Sequence, residues 1–367
     1  MKALTILGGG NTAFATAANL ALRGFEVTLY EHPAFAGALD PIRATNQIKL
    51  FGVAEQGMAK LHQVTDDIQM ALRNDLLLLI VPAYAHKPFA ELCAPYLRAG
   101  HMLVITPGTL GALEFAQIVR QAGNHEAIAF AETDTAPYVC RKTAPDAATI
   151  WGVVSGLGLG VYPATQTEQV ADALQEIFTV NGHSDAVTAI SPYPNVLACG
   201  LSAMNPVVHP AGVLMNAGRV EYARGEFYFY EEGVTPTVAQ VIYAVDAERR
   251  AIGRALGFDL TPVDAAFHAA GFGPKGDLWA TINGSRMLTQ LRAPGAINTR
   301  WLTEDIPYGL AAWSRLGEQL GVATPTMQAL ITLAGVALQQ DFWRMVRTPD
   351  QLGLAGLDKF AMLDYVA

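Results

Sequence analysis

The chain is expected to fold as an α/β protein in two parts, a doubly wound parallel sheet followed by an all-helical domain. Three observations carry that expectation. Short apolar runs alternate with helical stretches through the first half, the pattern of βαβ units. A glycine-rich turn separates the first apolar run from the first helical one. From about Pro192 onward, Thr-Pro pairs introduce segments of helical periodicity. Composition agrees: hydrophobic residues make up 51% of the 367 and charged residues 16%, and mean hydropathy is +0.24. Such a chain is not disordered and needs a large buried core. Its net charge of −9 argues against nucleic acid as a partner, because an acidic surface repels phosphate. No membrane span is expected: the longest aliphatic run, Leu76 to Val81, is far short of the roughly 20 residues required.

Cys93, Cys140 and Cys199 are widely spaced and form no CxxC pair, so neither a disulfide framework nor a metal site is expected. The apolar start of the chain is interrupted at once by Gly8-Gly9-Gly10. It does not read as a signal peptide, and a cytoplasmic location is the expectation.

In chain order, Ala3–Leu7 reads as the first strand, and Phe25, Val27 and Leu29, alternating with Glu26, Thr28 and Tyr30, as the second. Leu76–Val81, Met102–Thr106 and Ala127–Ala131 are apolar on both faces, as central parallel strands are. Helices are expected at Phe89–Leu97 and at Leu113–Gln121, the latter closing at Gly123. One last strand and helix are expected around Tyr162–Val180. The change of periodicity near residues 185–195 divides the chain into a dinucleotide-binding domain, 1–190, and a helical substrate domain, 191–367. In the latter, Thr235-Pro236, Thr261-Pro262 and Thr324-Pro325 read as N-caps followed by Pro at the first helical position. Asp264 would complete a capping box with Thr261. After Pro236, Val238, Val241, Ile242, Val245, Ile252 and Leu256 keep helical spacing up to Gly257, with Asp246 and Arg250 paired on the wet face.

The strongest motif is Gly8-Gly9-Gly10-Asn11-Thr12-Ala13, a G-x-G-x-x-A turn between a strand and a helix. Gly8 permits the tight turn, Gly10 lets a pyrophosphate approach the backbone, and Ala13 allows the helix to lie close to the sheet. The helix start, with Asn11 and Thr12, offers N–H groups to the diphosphate. Glu31 ends the second strand, 21 residues past Gly10, where an acid accepts from the adenosine ribose hydroxyls of NAD and repels the 2′-phosphate of NADP. Arg43 and Lys49 follow shortly, so NADP stays open. This is the signature of a Rossmann-type domain. By the switch-point rule the loops after the other strands line the same crevice: Val81-Pro82-Ala83, Thr106-Pro107-Gly108-Thr109 and Glu132-Thr133-Asp134. The first two shape a wall near the nicotinamide, and the third carries groups suited to substrate.

Among eight histidines, His209 is set apart by its setting in the apolar segment Val196–Met215. On a helix, Ser202, Asn205, His209 and Asn216 would fall within about 40° of one another. Such a stripe is either a hydrogen-bond network between helices or a site for a polar ligand, since buried polar groups need partners. Pro206 and Pro210 each delete a helical hydrogen bond, so a kink or break is expected near His209. A histidine suits the proton transfer that accompanies hydride addition to a carbonyl or imine, provided a carboxylate orients it. Asp305, 96 residues on, is the candidate, and Arg300 offers a fork for a substrate carboxylate.

These residues carry a family resemblance. Nearly end to end, the chain resembles the opine dehydrogenases of the octopine/nopaline type, and is similar in texture to bacterial N-(1-carboxyethyl)norvaline dehydrogenases. The similarity runs through Gly8–Ala13, Pro107-Gly108, Glu132-Thr133, Asn205 to His209-Pro210, Glu232-Gly233-Val234-Thr235-Pro236, Asn298-Thr299-Arg300 and Glu304-Asp305. The resemblance implies a Rossmann domain joined to a helical one, with substrate in the cleft between them. It implies reductive condensation of an α-keto acid such as pyruvate with the amino group of an amino acid, using NADH or NADPH. By motif, His209 would be the acid/base and Asp305 its partner. Arg300 would hold a substrate carboxylate, with Thr133, Glu132 and Asn205 near substrate; Trp279 would form an amino-acid wall, and a homodimer is implied.

Two other readings stand beside this one. A reductase of a simple 2-keto acid or ketopantoate-like carbonyl would use no amine; a dedicated lysine would favour it, and the only one in residues 191–340 is Lys275. A nucleotide-binding sensor without turnover would have lost His209 or Asp305, and both are present.

Overall fold

Aliphatic runs too short for helices build the first half of the molecule. In the computed structural model, which describes residues 2–178 and 189–367, twelve strands are found: β1 (Ala3–Leu7), β2 (Glu26–Tyr30), β3 (Gln47–Gly52), β4 (Gly57–Lys60), β5 (Gln63–Thr65), β6 (Leu76–Leu79), β7 (Met102–Ile105), β8 (Ala129–Thr133), β9 (Tyr138–Ala144), β10 (Ala147–Val153), β11 (Gly156–Tyr162) and β12 (Ala189–Pro192). The chain forms two compact units, Met1–Gly200 with Val366–Ala367, and Leu201–Tyr365. The expected end of the last helix at Val180, and His183, lie outside the described residues.

Eight strands form one sheet in the order β12-β11-β8-β7-β6-β1-β2-β5. From β5 to β8 all pairs are parallel, and β11 runs antiparallel to β8. The six parallel strands have the Rossmann order, with the reversal between β1 and β6. Leu76, Leu77, Leu78 and Leu79 are all buried, as they must be in a strand covered on both faces. β2 departs from its alternating pattern for the same reason: Thr28 and Tyr30 are as buried as Val27 and Leu29.

A second sheet, β4-β3-β10-β9, was not legible as strands. Helix Asn11–Leu22 packs against strands of both sheets, which explains why Ala13 through Leu20 are all buried. Even Asn19 is enclosed, its amide donating to the Tyr138 hydroxyl at 2.8 Å and its carbonyl oxygen accepting from Glu55 N–H.

The second unit is helical, and several expected caps are made differently. Thr235 does cap helix Pro236–Leu256, accepting from Val238 N–H, and Gly257 ends it at φ +92°. Asp246, however, does not pair with Arg250 in water. It is buried and bonded to Arg249, whose guanidinium also donates to the carbonyls of Leu201 and Thr261. The Thr261–Asp264 capping box does not form. Helix Val263–Ala269 begins after Pro262, and the N–H of Val263 goes instead to Asp246 Oδ2. Likewise Thr324 does not cap helix Pro325–Leu338 through its side chain. Glu248 reaches across from the neighbouring helix and accepts from Thr326 and Met327 N–H at 2.7 and 2.9 Å.

Val196–Met215 has the length and apolarity of a membrane span, which counting aliphatic runs overlooks, but most of it is buried within the fold. It is two helices, Val196–Gly200 and Asn205–Met215. The break therefore falls at residues 201–204, not at His209. Pro206 lies in the first turn, where no N–H is needed, and the helix runs unbroken past Pro210.

Candidate active site

The glycine turn is built as the motif requires. Gly8 has φ +119°, and a Cβ on it would stand 2.6 Å from the Ile80 carbonyl oxygen and 2.7 Å from Val81. Both restrictions admit only glycine there. Around Gly10 the reverse holds: nothing lies within 4 Å of where its Cβ would point. No side chain caps the start of helix Asn11–Leu22, which leaves its first N–H groups without a side-chain acceptor. Asn11 Oδ1 instead accepts from Lys142 N–H at 2.9 Å, which ties the β9–β10 hairpin to the turn. Thr12 borders the turn and Ala13 is buried. Val81 and Pro82 follow β6 at the switch point, partly exposed. An open glycine face at an uncapped helix start fits the diphosphate of a nicotinamide dinucleotide.

Glu31 is buried, one oxygen accepting from Gly9 N–H at 2.7 Å and the other from His32 N–H at 2.8 Å. Burial pushes its carboxyl upward, against those two bonds. The acid at the end of β2 thus also fixes the glycine turn. Arg43 is paired with Asp40 and Asp66, while Lys49 is exposed and lies over the Phe51 ring.

The loop after β8 is positioned differently from expectation. Glu132 is fully buried and its oxygens accept from Leu110 and Ala112 N–H at 2.7 and 2.9 Å. It braces the start of helix Gly111–Gln121 and presents no oxygen to a ligand. Gly108 is small because Glu132 fills the space beside it. The Thr133 hydroxyl is buried and donates to the Thr135 carbonyl. Asp134 accepts from Gly158 N–H and from the Tyr193 hydroxyl. All three side chains bond within the end of the sheet, Glu132 and Asp134 as acceptors and Thr133 as a donor.

In the second unit, helix Asn205–Met215 carries His209, which is 8% exposed. Its Nδ1 lies 2.8 Å from Asp305 Oδ2. A carboxylate can only accept, so Nδ1 carries the proton and donates. Asp305 opens a π-helical turn, Asp305–Leu310, directly after helix Arg300–Thr303. One imidazole face is covered by the Trp301 ring, stacked at 4.3 Å and 5°. Phe229 wedges edge-on against both rings, and the space it needs explains Gly212, whose Cβ would meet Phe229 at 2.3 Å. The Tyr230 hydroxyl approaches Nε2 at 3.2 Å. Arg300 is exposed and only loosely paired with Glu304, at 3.6 Å. Asn205 is exposed at the first position of the His209 helix.

Trp301, Phe229 and Tyr230 were missed in the sequence. Trp301 sits inside the Asn298–Asp305 segment, and the Phe227–Tyr230 aromatic run could have been noticed beside Gly212.

Residues 192–338 match the family described as NAD/NADP octopine/nopaline dehydrogenase, alpha-helical domain. An opine dehydrogenase of Arthrobacter sp. (strain 1C) is 32% identical over 97% of this chain and 96% of its own length. This chain belongs to the opine dehydrogenase family. It is accordingly an NAD(P)-dependent oxidoreductase that uses a nicotinamide cofactor. The fold is shared with an octopine dehydrogenase solved in complex with NADH and agmatine, at TM-score 0.79 and 20% identity over 99% of this chain and 98% of that one. A yersinopine dehydrogenase with NADP+ bound also shares it, at TM-score 0.74 and 16% identity over 99% and 97% of the two chains.

Proposed function

We propose that this opine dehydrogenase condenses an α-keto acid with the amino group of an amino acid and reduces the resulting imine, with His209 as the acid–base group. The observation that supports it most is the His209–Asp305 hydrogen bond inside an aromatic wall. The amine nitrogen adds to the keto carbon, and the carbonyl oxygen leaves as water. The two protons of that water are the ones the amine nitrogen gives up: His209 Nε2 takes a proton from the nitrogen and passes it to the departing oxygen, and Asp305 stabilises the transient imidazolium through Nδ1–H. The nicotinamide supplies the hydride. Arg300, with its fork largely unspent, takes the substrate carboxylate, and Asn205 adds a hydrogen bond one turn before His209. Glu132 and Thr133 act behind the surface, holding the loop that follows β8.

NADH oxidation with pyruvate and a panel of L-amino acids, each omitted in turn, tests the reaction. Turnover is expected only when both partners are present. Oxidation that needs the keto acid and ignores every amine would instead mark a simple carbonyl reductase.

The cofactor preference proposed is NAD over NADP, on the placement of Glu31 and the pairing of Arg43 with Asp40 and Asp66. Glu31→Gln keeps an acceptor for Gly9 N–H and removes the charge. The expected result is NADH binding weakened roughly tenfold relative to NADPH. Fluorescence titration of both cofactors measures the ratio, and an unchanged ratio refutes the preference.

A further inference from the structure

His209 has polar partners on both ring nitrogens, and only one of them is the carboxylate an acid–base histidine calls for. The other is the Tyr230 hydroxyl on Nε2, at 3.2 Å. Three features show that this hydroxyl is held there by construction. Asn216, just past the end of the His209 helix, donates to the Gly233 carbonyl and so ties the π-helical turn Phe229–Gly233 to that helix. At the other end of the turn, Glu232 accepts from Tyr228 N–H and from Arg219. The Tyr230 ring itself stands perpendicular to Phe229 at 4.9 Å, and Phe229 is fixed against Trp301. The phenol is buried, and burial together with the nearby Asp305 charge pushes its ionisation upward. It therefore keeps its proton and donates to Nε2 whenever the imidazole is neutral.

We propose that Tyr230 is a positioning residue for the acid–base step: its hydroxyl, opposite Asp305, fixes the plane and tautomer of the His209 ring. With Asp305 accepting at one edge and Tyr230 donating at the other, only the Nδ1–H tautomer satisfies both partners. The Nε2 lone pair is then the one available to exchange a proton. In turnover the hydroxyl's hydrogen bond to Nε2 is traded for one from the reacting group, one bond broken and one formed, with no change in the protonation of Tyr230. This proposal rests on His209 as the acid–base group of the reaction above.

The test uses the full-length enzyme with 15N-labelled histidine, the His209 signals being assigned by their loss in His209→Asn. In the wild type, above the imidazole titration, Nδ1 is expected protonated and Nε2 bare but shifted by an accepted hydrogen bond. The opposite tautomer overturns the proposal without any variant. Tyr230→Phe removes one oxygen and keeps the ring contacts. It is expected to move the Nε2 resonance toward that of an unbonded nitrogen. It should also lower kcat about tenfold, with KM for the keto acid unchanged. Wild-type kcat in this variant, or a loss of kcat with an unmoved Nε2 resonance, overturns it. Turnover that survives in His209→Asn would instead sink the acid–base reading itself, so the two failures are told apart.

Discussion

Replacing His209 with asparagine is expected to lower kcat by about 100- to 10,000-fold, the usual contribution of a positioned acid–base group, while NADH still binds. Asparagine offers Asp305 a donor but cannot carry a proton between reacting groups. The cofactor turn is made by residues of the other unit, Gly8, Gly10 and Glu31, so its affinity for NADH should persist in a fluorescence titration. Asp305→Asn should fall in the same direction, because it removes the acceptor that selects the Nδ1–H tautomer. Loss of NADH binding in His209→Asn would make the histidine structural, and turnover near wild type would remove it from the mechanism.

The largest expected effect on stability lies at Arg249. Its guanidinium is fully buried, bonded twice to Asp246 Oδ1 and once each to the carbonyls of Leu201 and Thr261. Arg249→Met would leave the Asp246 carboxylate buried with only Val263 N–H among its described partners. Breaking such a pair costs about 3–5 kcal/mol, read as a lower denaturation midpoint at unchanged slope. A loss under about 1 kcal/mol would mean that water reaches the pair. Leu201 opens the segment just before the His209 helix, so the same guanidinium also fixes where that helix begins. Replacing Asp246 as well should not restore stability fully, because the carbonyls of Leu201 and Thr261 would still lack this donor.

The central strands and His209 are legible in the sequence for related reasons. Leu76–Leu79 is apolar at every position, which only a strand covered on both faces explains. His209 is legible because an ionisable side chain in an apolar segment needs partners, whereas Asp305 lies in the polar run Asn298–Asp305 and is assigned only by the family resemblance. The second sheet was obscured by its pairing. Ile48 and Leu50 alternate with Lys49 and Phe51, a short period-two signal, but β3 completes itself against β10, far downstream in the chain. Pro145-Asp146 marks the hairpin turn between β9 and β10 and could have exposed that partner. Glu132 and Thr133 are ambiguous in the sequence because a polar residue at a strand end can meet a ligand or brace a helix start, and spacing does not separate the two. The same ambiguity misplaced Asp246: on a helical wheel Arg249 and Arg250 are equally reachable partners, and only burial chooses. Tyr230 was hidden in the run Phe227–Tyr230, whose aromatic character reads as core.

Helix Asn11–Leu22 lies between the two sheets, and each of its sides answers to a different neighbour. A cofactor arriving at its first turn meets amides already fixed by the interior of the protein, so little ordering entropy opposes binding. The enclosure also removes freedom from evolution. Any substitution between Ala13 and Leu20 that shifts the helix by a fraction of an ångström disturbs sheet packing and the diphosphate cradle together. In this molecule, affinity for the nucleotide and the integrity of the fold must therefore drift as one quantity.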